Sequence, residues 1–397
     1  MLVTRIKLHL VLLTVLATTA SAVTLATADD RRGDPQWPNV ASDQPQWPNI
    51  APDKLPEPLI NPNPAFLDAD QVANRILGLP DTSAMPDVTG STPRWPELPS
   101  ERRPSDFSFE VGARYWYSWG NISFAFSNGS PFFGSPTSTL DWHGLEAHSG
   151  EAFARIDHKP TGLFVKGLIG LGTINSGQIE DRDFLSQQIK FSDTTSDVRN
   201  GHLMYGMFDV GWAYWPVPDI RVGAFVGYHY WRESVTAFGV RCNDTGTFIN
   251  ICGPGGSVPI SFDVASLRYE PIVHAFRLGV EGKAAITDRW SVSGEIALVP
   301  YVALQNNDSH LLRQTPDDLG PAPNVITKTT YAFGVEAELF FNYAVTPNIV
   351  LGAGARYWGV GSNYGGVRFG PAFETGLPLN SFDAQRYGVL AHIKGKF

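Results

Sequence analysis

The sequence predicts an all-β protein: a ten-stranded antiparallel transmembrane β-barrel preceded by a signal peptide and a Pro-rich disordered tether. Three observations lead there. Long segments alternate apolar with small or polar residues at a period of two, the links between them alternate short and long, and beyond residue 28 every apolar run is cut within about ten positions, too short for a spanning helix. Composition agrees. Of 397 residues only 17% are charged, while 39 are glycine and 12% aromatic, a poor match to a cytosolic enzyme, where about 25% charge is usual. The net charge of −9 argues against a phosphate-binding surface for nucleic acid, and two cysteines exclude both a dense disulfide scaffold and a four-cysteine zinc site.

The chain is expected to begin with an export signal, 1–22. Arg5 and Lys7 precede an apolar stretch from Leu8 to Ala20, and Ala20-Ser21-Ala22 offers a small-residue cleavage pattern, with Ala26-Thr27-Ala28 as a second choice. Residues 29–105 are rich in Pro, Asp and Asn and contain a near-repeat, Pro35-Gln36-Trp37-Pro38-Asn39 and Pro45-Gln46-Trp47-Pro48-Asn49. Such a composition buries too little apolar surface to order itself and reads as an extended periplasmic tether, with docking of the Trp-Pro repeats on cell-wall material as the alternative.

From 106 to 397 the strands are expected near 106–126, 138–157, 163–181, 202–215, 220–240, 260–285, 290–308, 326–345, 349–361 and 382–397. The first puts Phe107, Phe109, Val111, Ala113, Tyr115, Tyr117 and Trp119 on one face, and the fourth puts Phe208, Val210, Trp212 and Tyr214 on one face. Short links such as Pro216-Val217-Pro218-Asp219 and Thr346-Pro347-Asn348 alternate with long polar ones near 127–137, 184–200, 241–259, 311–325 and 362–381. In outer-membrane barrels short turns face the periplasm and long loops the outside, so an even strand count leaves both barrel ends on the periplasmic side. The last strand alternates to a terminal Phe397, which looks like the insertion signal of such barrels.

Twenty residues at about 3.3 Å each, tilted near 40°, climb roughly 50 Å, twice the apolar band of about 25 Å, so the upper strand halves must stand outside the membrane. Two ionisable pairs fall at that height, Asp181 with Asp183 and Asp308 with His310, each two residues apart and therefore on one strand face. A carboxylate beside a histidine fixes its tautomer and raises its basicity, and two adjacent carboxylates resist double ionisation, a combination suited to activating water. A calcium site at Asp181 and Asp183 is the alternative. Cys242 and Cys252 are expected to form a disulfide in an oxidising compartment.

These residues resemble the omptin family of outer-membrane aspartyl endopeptidases. Leu140-Asp141-Trp142 resembles the family's Leu-Asp-Trp motif, Gly177 to Phe184 its Gly-x-x-x-Asp-x-Asp-Trp segment, Gly227-Tyr228 with Arg232 its Gly-Tyr-x-x-x-Arg signature, and Asn307-Asp308-Ser309-His310 its Asn-Asp-x-His dyad. The similarity runs in order over about 106–397. It implies an omptin-type hydrolase in the Gram-negative outer membrane, with an extracellular cleft where Asp308 and His310 activate water and Asp181 and Asp183 hold it. It also implies lipopolysaccharide as activator, with Tyr228 and Arg232 at the matching positions, where a plain interfacial girdle is the other reading. No metal or other cofactor is implied. The expected partners are membrane lipid, lipopolysaccharide and a peptide or protein substrate, and the expected state is a monomer. The positions matching the family's acidic specificity pocket are Asn306 and Trp119 or Gly120, all uncharged, so cleavage at basic sites is not expected. The runner-up is a non-enzymatic barrel, an adhesin or small channel. A lipid-modifying hydrolase ranks third, since no nucleophile elbow is visible.

Overall fold

Ten antiparallel strands, each hydrogen-bonded to its neighbours in sequence, close into a barrel where the first pairs with the last. The structure is a computed structural model that describes residues 105–130, 132–186, 189–217, 219–370 and 376–397; the expected signal peptide and nearly all of the expected tether lie outside the described residues. The strands are β1 (Phe107–Phe126), β2 (Phe133–His158), β3 (Leu163–Leu185), β4 (Ile189–Val217), β5 (Ile220–Cys242), β6 (Ile260–Ala285), β7 (Trp290–His310), β8 (Val325–Ala344), β9 (Ile349–Phe369) and β10 (Leu377–Lys396). Phe397 completes the closure, exchanging backbone hydrogen bonds with Phe109.

Near the short-turn end the outward faces follow the expected alternation. Phe109, Val111, Tyr115, Phe208, Val210, Trp212, Leu278, Val280, Phe341, Leu351, Val389 and Ile393 are all exposed. A continuous apolar wall of this kind is costly in water and is what a hydrocarbon surround requires.

The lumen is solid. Arg155, Asp157, Glu281, Arg221 and Lys166 form one buried ion network, and Arg114, Glu151, Glu338 and Arg356 form another. Above them Trp358 packs against Trp116 (4.6 Å between ring centroids), Tyr205 (4.9 Å), Trp231 (5.9 Å) and His229 (4.5 Å). The residual cavity among the charges is about 120 Å³. The expectation of a small or polar interior therefore needs revising, because the inward face of the middle strands also carries large aromatic rings. Those rings form a floor for whatever lies above.

The expected links at 127–137, 184–200 and 362–381 are too long. β4 begins at Ile189, β9 runs to Phe369 and β10 starts at Leu377. These stretches stand clear of the apolar wall, both their faces can be wet, and the apolar alternation that marks a strand is not imposed on them. The long links that remain are 243–259 and 311–324.

Candidate active site

The site lies at the long-loop end, above the aromatic floor, and its geometry depends on two β-bulges. In β3, Ala147 pairs with Ile174 but Glu146 pairs with Ser176, so β3 carries an extra residue there. Below it even-numbered Phe164 and Ile174 point inward; above it odd-numbered Ile179 does, together with Asp181 and Asp183. In β7, Leu298 pairs with Leu278 and Tyr301 with Phe276, again one residue more on β7. Ala297 and Val299 are buried below this bulge, and Val302, Leu304, Asn306 and Asp308 above it. One extra residue in a strand exchanges its two faces. Without these bulges all four candidate groups would lie on the outer wall.

Asp308 Oδ2 lies 3.5 Å from Nε2 of His310, with the carboxylate buried (2% side-chain exposure) and the ring partly open (19%). Burial alone would lower the histidine pKa, but the charge and hydrogen bond of Asp308, together with the charge of Asp181, outweigh it and raise it above the usual 6.5. Across the cleft, burial first and then the neighbouring Asp183 carboxylate push Asp181 up to about 8, against the opposing pull of His310. Asp183 is raised as well, chiefly by burial, while hydrogen bonds with Ser138 and Ser192, in register on the flanking strands, pull it down. At neutral pH Asp181 therefore keeps its proton. Asp181 senses both members of the opposite couple electrostatically, so the four groups, from strands that are not neighbours, form one charge system.

The end of β7 is clamped by Asn324, which belongs to the long polar link expected near 311–325. Asn324 Oδ1 accepts from the His310 backbone N–H at 2.8 Å, its Nδ2 donates to the His310 carbonyl at 3.3 Å, and its own N–H donates to the Asp308 carbonyl at 3.0 Å. Nothing in the Pro-rich stretch around it distinguishes this Asn. Arg313, also from that loop, is paired with Asp318 and contributes positive charge to Asp181 and Asp183. The opposite wall is braced by the Cys242–Cys252 disulfide. From its loop, Asn243 N–H donates to the Asp193 carbonyl at 2.8 Å and Ile251 N–H to the Phe191 carbonyl at 3.0 Å, tying it to the β3–β4 hairpin that carries the aspartate couple.

Of the two expected pocket residues the structure brings only one to the cleft. Asn306 faces inward, 1% exposed, two residues before Asp308. Trp119 does not: it packs against Tyr117 (4.6 Å) and Tyr387 (6.1 Å) on the outward face, because on β1 the even-numbered residues face inward. The adjacent inward position is Gly120, and the guanidinium of Arg386 lies over it, 2.5 Å from where a Cβ would stand. Arg386 is held by Glu233 at 2.7 and 2.8 Å, Ser118 at 3.0 Å and the Leu145 carbonyl at 3.1 Å.

Tyr228 and Arg232 share the outer face of β5. Tyr228 hydroxyl contacts His274 Nδ1 at 2.6 Å, and Arg232 Nε donates to Glu270 at 2.8 Å. Among the described residues no group of three or more His, Cys, Asp or Glu side chains is arranged to hold a metal ion.

No family model and no curated protein matches the chain in sequence. Among solved structures, the outer membrane protease OmpT from Escherichia coli matches with a TM-score of 0.58 at 15% identity, over 73% of this chain and 97% of that one. A FadL homologue from Pseudomonas aeruginosa matches with a TM-score of 0.23 at 11% identity, over 73% of this chain and 90% of the other. The toluene transporter TbuX of Ralstonia pickettii matches with 0.23 at 10%, over 73% and 89%. The last two overlap too loosely to bear on the argument. The fold is accordingly that of an omptin-like outer-membrane β-barrel.

Proposed function

We propose that the chain is an omptin-type peptidase of the Gram-negative outer membrane, with its cleft on the outer surface, and that it cleaves peptide bonds using water activated by Asp308 and His310. The observation that carries this reading is an inward Asp–His couple whose charge is felt by an inward Asp couple on a non-neighbouring strand, above the aromatic floor. Asp308 holds the proton on Nε2 of His310 and leaves Nδ1 to take one from water. The 3.5 Å contact is long for a hydrogen bond and tightens when substrate excludes solvent. The resulting hydroxide attacks the peptide carbonyl carbon, and the proton held on Asp181 stabilises the oxyanion. His310 then returns its proton to the leaving amine as the C–N bond breaks, giving a carboxylic acid and an amine, which exchange a proton to become carboxylate and ammonium, with no covalent enzyme intermediate.

The edge-to-face rings packed across the lumen weigh against the channel alternative. Lipopolysaccharide is the proposed activator, its phosphates exchanging with Glu270 at Arg232 beside Tyr228, because a guanidinium suits phosphate as well as carboxylate. The test is to reconstitute the chain with lipopolysaccharide, expose it to a diverse peptide library and read products by mass spectrometry. Cleavage lost in His310→Ala and in Asp181→Ala supports the assignment; cleavage unchanged in both removes it.

A further inference from the structure

We propose that the cleft beside the Asp308–His310 couple contains a pocket for an uncharged carboxamide side chain, glutamine or asparagine, of the substrate. The proposal rests on the peptidase reading for its context and on buried hydrogen-bonding capacity for its content. Asn306 is almost fully buried, yet neither its Oδ1 nor its Nδ2 has a partner. Directly across from it on β8 is Thr327, buried with an unpartnered hydroxyl. On the other flank, opposite Asp308, is Tyr269 of β6, also buried with its hydroxyl unpartnered. Asp308 Oδ1 is unpartnered too. Buried polar groups are rarely left unpaired, and several on one inward patch next to a reactive couple mark a place where a ligand supplies the partners.

The chemistry of the patch selects that ligand. An amide offers an N–H donor and a carbonyl acceptor side by side, and its complement is another amide: the substrate carbonyl accepts from Asn306 Nδ2 while its NH₂ donates to Oδ1. The hydroxyls of Thr327 and Tyr269 can donate or accept, and burial together with the Asp308 charge keeps the Tyr269 phenol protonated. The carboxylate of this patch is that of Asp308, for which a cationic side chain would compete with His310. Asp308 is already matched to His310, and at the β1 wall the inward position is Gly120 covered by Arg386, whose own charge is matched by Glu233. An aliphatic side chain leaves the buried amide unpaired, the situation that binding sites reject most strongly.

The test uses the full chain carrying His310→Ala, reconstituted in vesicles with lipopolysaccharide, and fluorescent peptides with one fixed residue among degenerate flanks, read by anisotropy. Peptides fixed as Gln or Asn are expected to bind at least about tenfold more tightly than those fixed as Leu, Arg or Glu. Added to that chain, Asn306→Leu abolishes the difference, Asn306→Asp moves the preference to Arg, and the near-isosteric Thr327→Val, least disruptive to folding, narrows it severalfold. Equal binding of all peptides, preference for Arg or Leu, no binding of any peptide, or a ranking unmoved by Thr327→Val overturns the pocket. Cleavage by the chain with His310 intact, followed in parallel, separates the two ideas. Gln-selective binding without cleavage upholds the pocket and removes the peptidase, whereas cleavage without amide selectivity does the reverse.

Discussion

At the scale of single residues, four ionisable groups set one another's protonation. His310 is raised because Asp308, helped by the charge of Asp181, outweighs the effect of burial. Asp308→Asn removes the main force opposing burial, so the pKa of His310 falls, the acid limb of activity moves to lower pH, and kcat/KM drops by about 10² to 10⁴, as expected when the partner of a general base is lost. A pH series on that variant checks both. The four groups were legible in the sequence because chemistry-bearing pairs at a spacing of two survive any uniform strand reading. Trp119 was not placed correctly because inward and outward on a strand depend on parity, and an aromatic reads equally well as pocket or outer wall. Asn324 was invisible for a different reason: its work is done through backbone atoms of His310 and Asp308, which leave no pattern in side-chain type.

At the scale of elements, the bulges of β3 and β7 aim the site. Gly177, just above the β3 bulge, has φ 148°, and a Cβ there would meet Leu145 Cδ2 at 2.7 Å. Gly177→Val is expected to cost about 1 to 3 kcal/mol and to reduce cleavage far more than it reduces barrel assembly, read by thermal unfolding beside activity. The disulfide acts on the same wall. Cys242→Ser with Cys252→Ser is expected to loosen the loop by about 2 to 3 kcal/mol and, through Asn243 and Ile251, the β3–β4 hairpin, detected as faster proteolytic nicking between 186 and 260. Strand ends were legible where a lipid-like surround imposes alternation and illegible above it, which is why β4, β9 and β10 run further than expected. The bulges were illegible throughout, since an extra residue shows itself only against its partner strand.

At the scale of the whole molecule, an apolar wall surrounds a charged and aromatic filling that supports the cleft. The buried Arg386–Glu233 pair joins β10 to β5 across the lumen. Arg386→Met alone is expected to cost about 3 to 5 kcal/mol by stranding Glu233, and adding Glu233→Leu to recover most of it, measured by denaturant unfolding in vesicles. Closure, strand number and outward alternation were readable because a barrel repeats one rule ten times. The filling was not, because buried ion networks link residues far apart in sequence. The most direct measurement of the central claim is the pH dependence of kcat/KM for a cleaved peptide. A proton held on Asp181, opposite a raised His310, predicts a narrow bell with its acid limb above 6.5 and its alkaline limb near 8. A rate that keeps climbing through pH 9, or the same profile after His310→Ala, contradicts it.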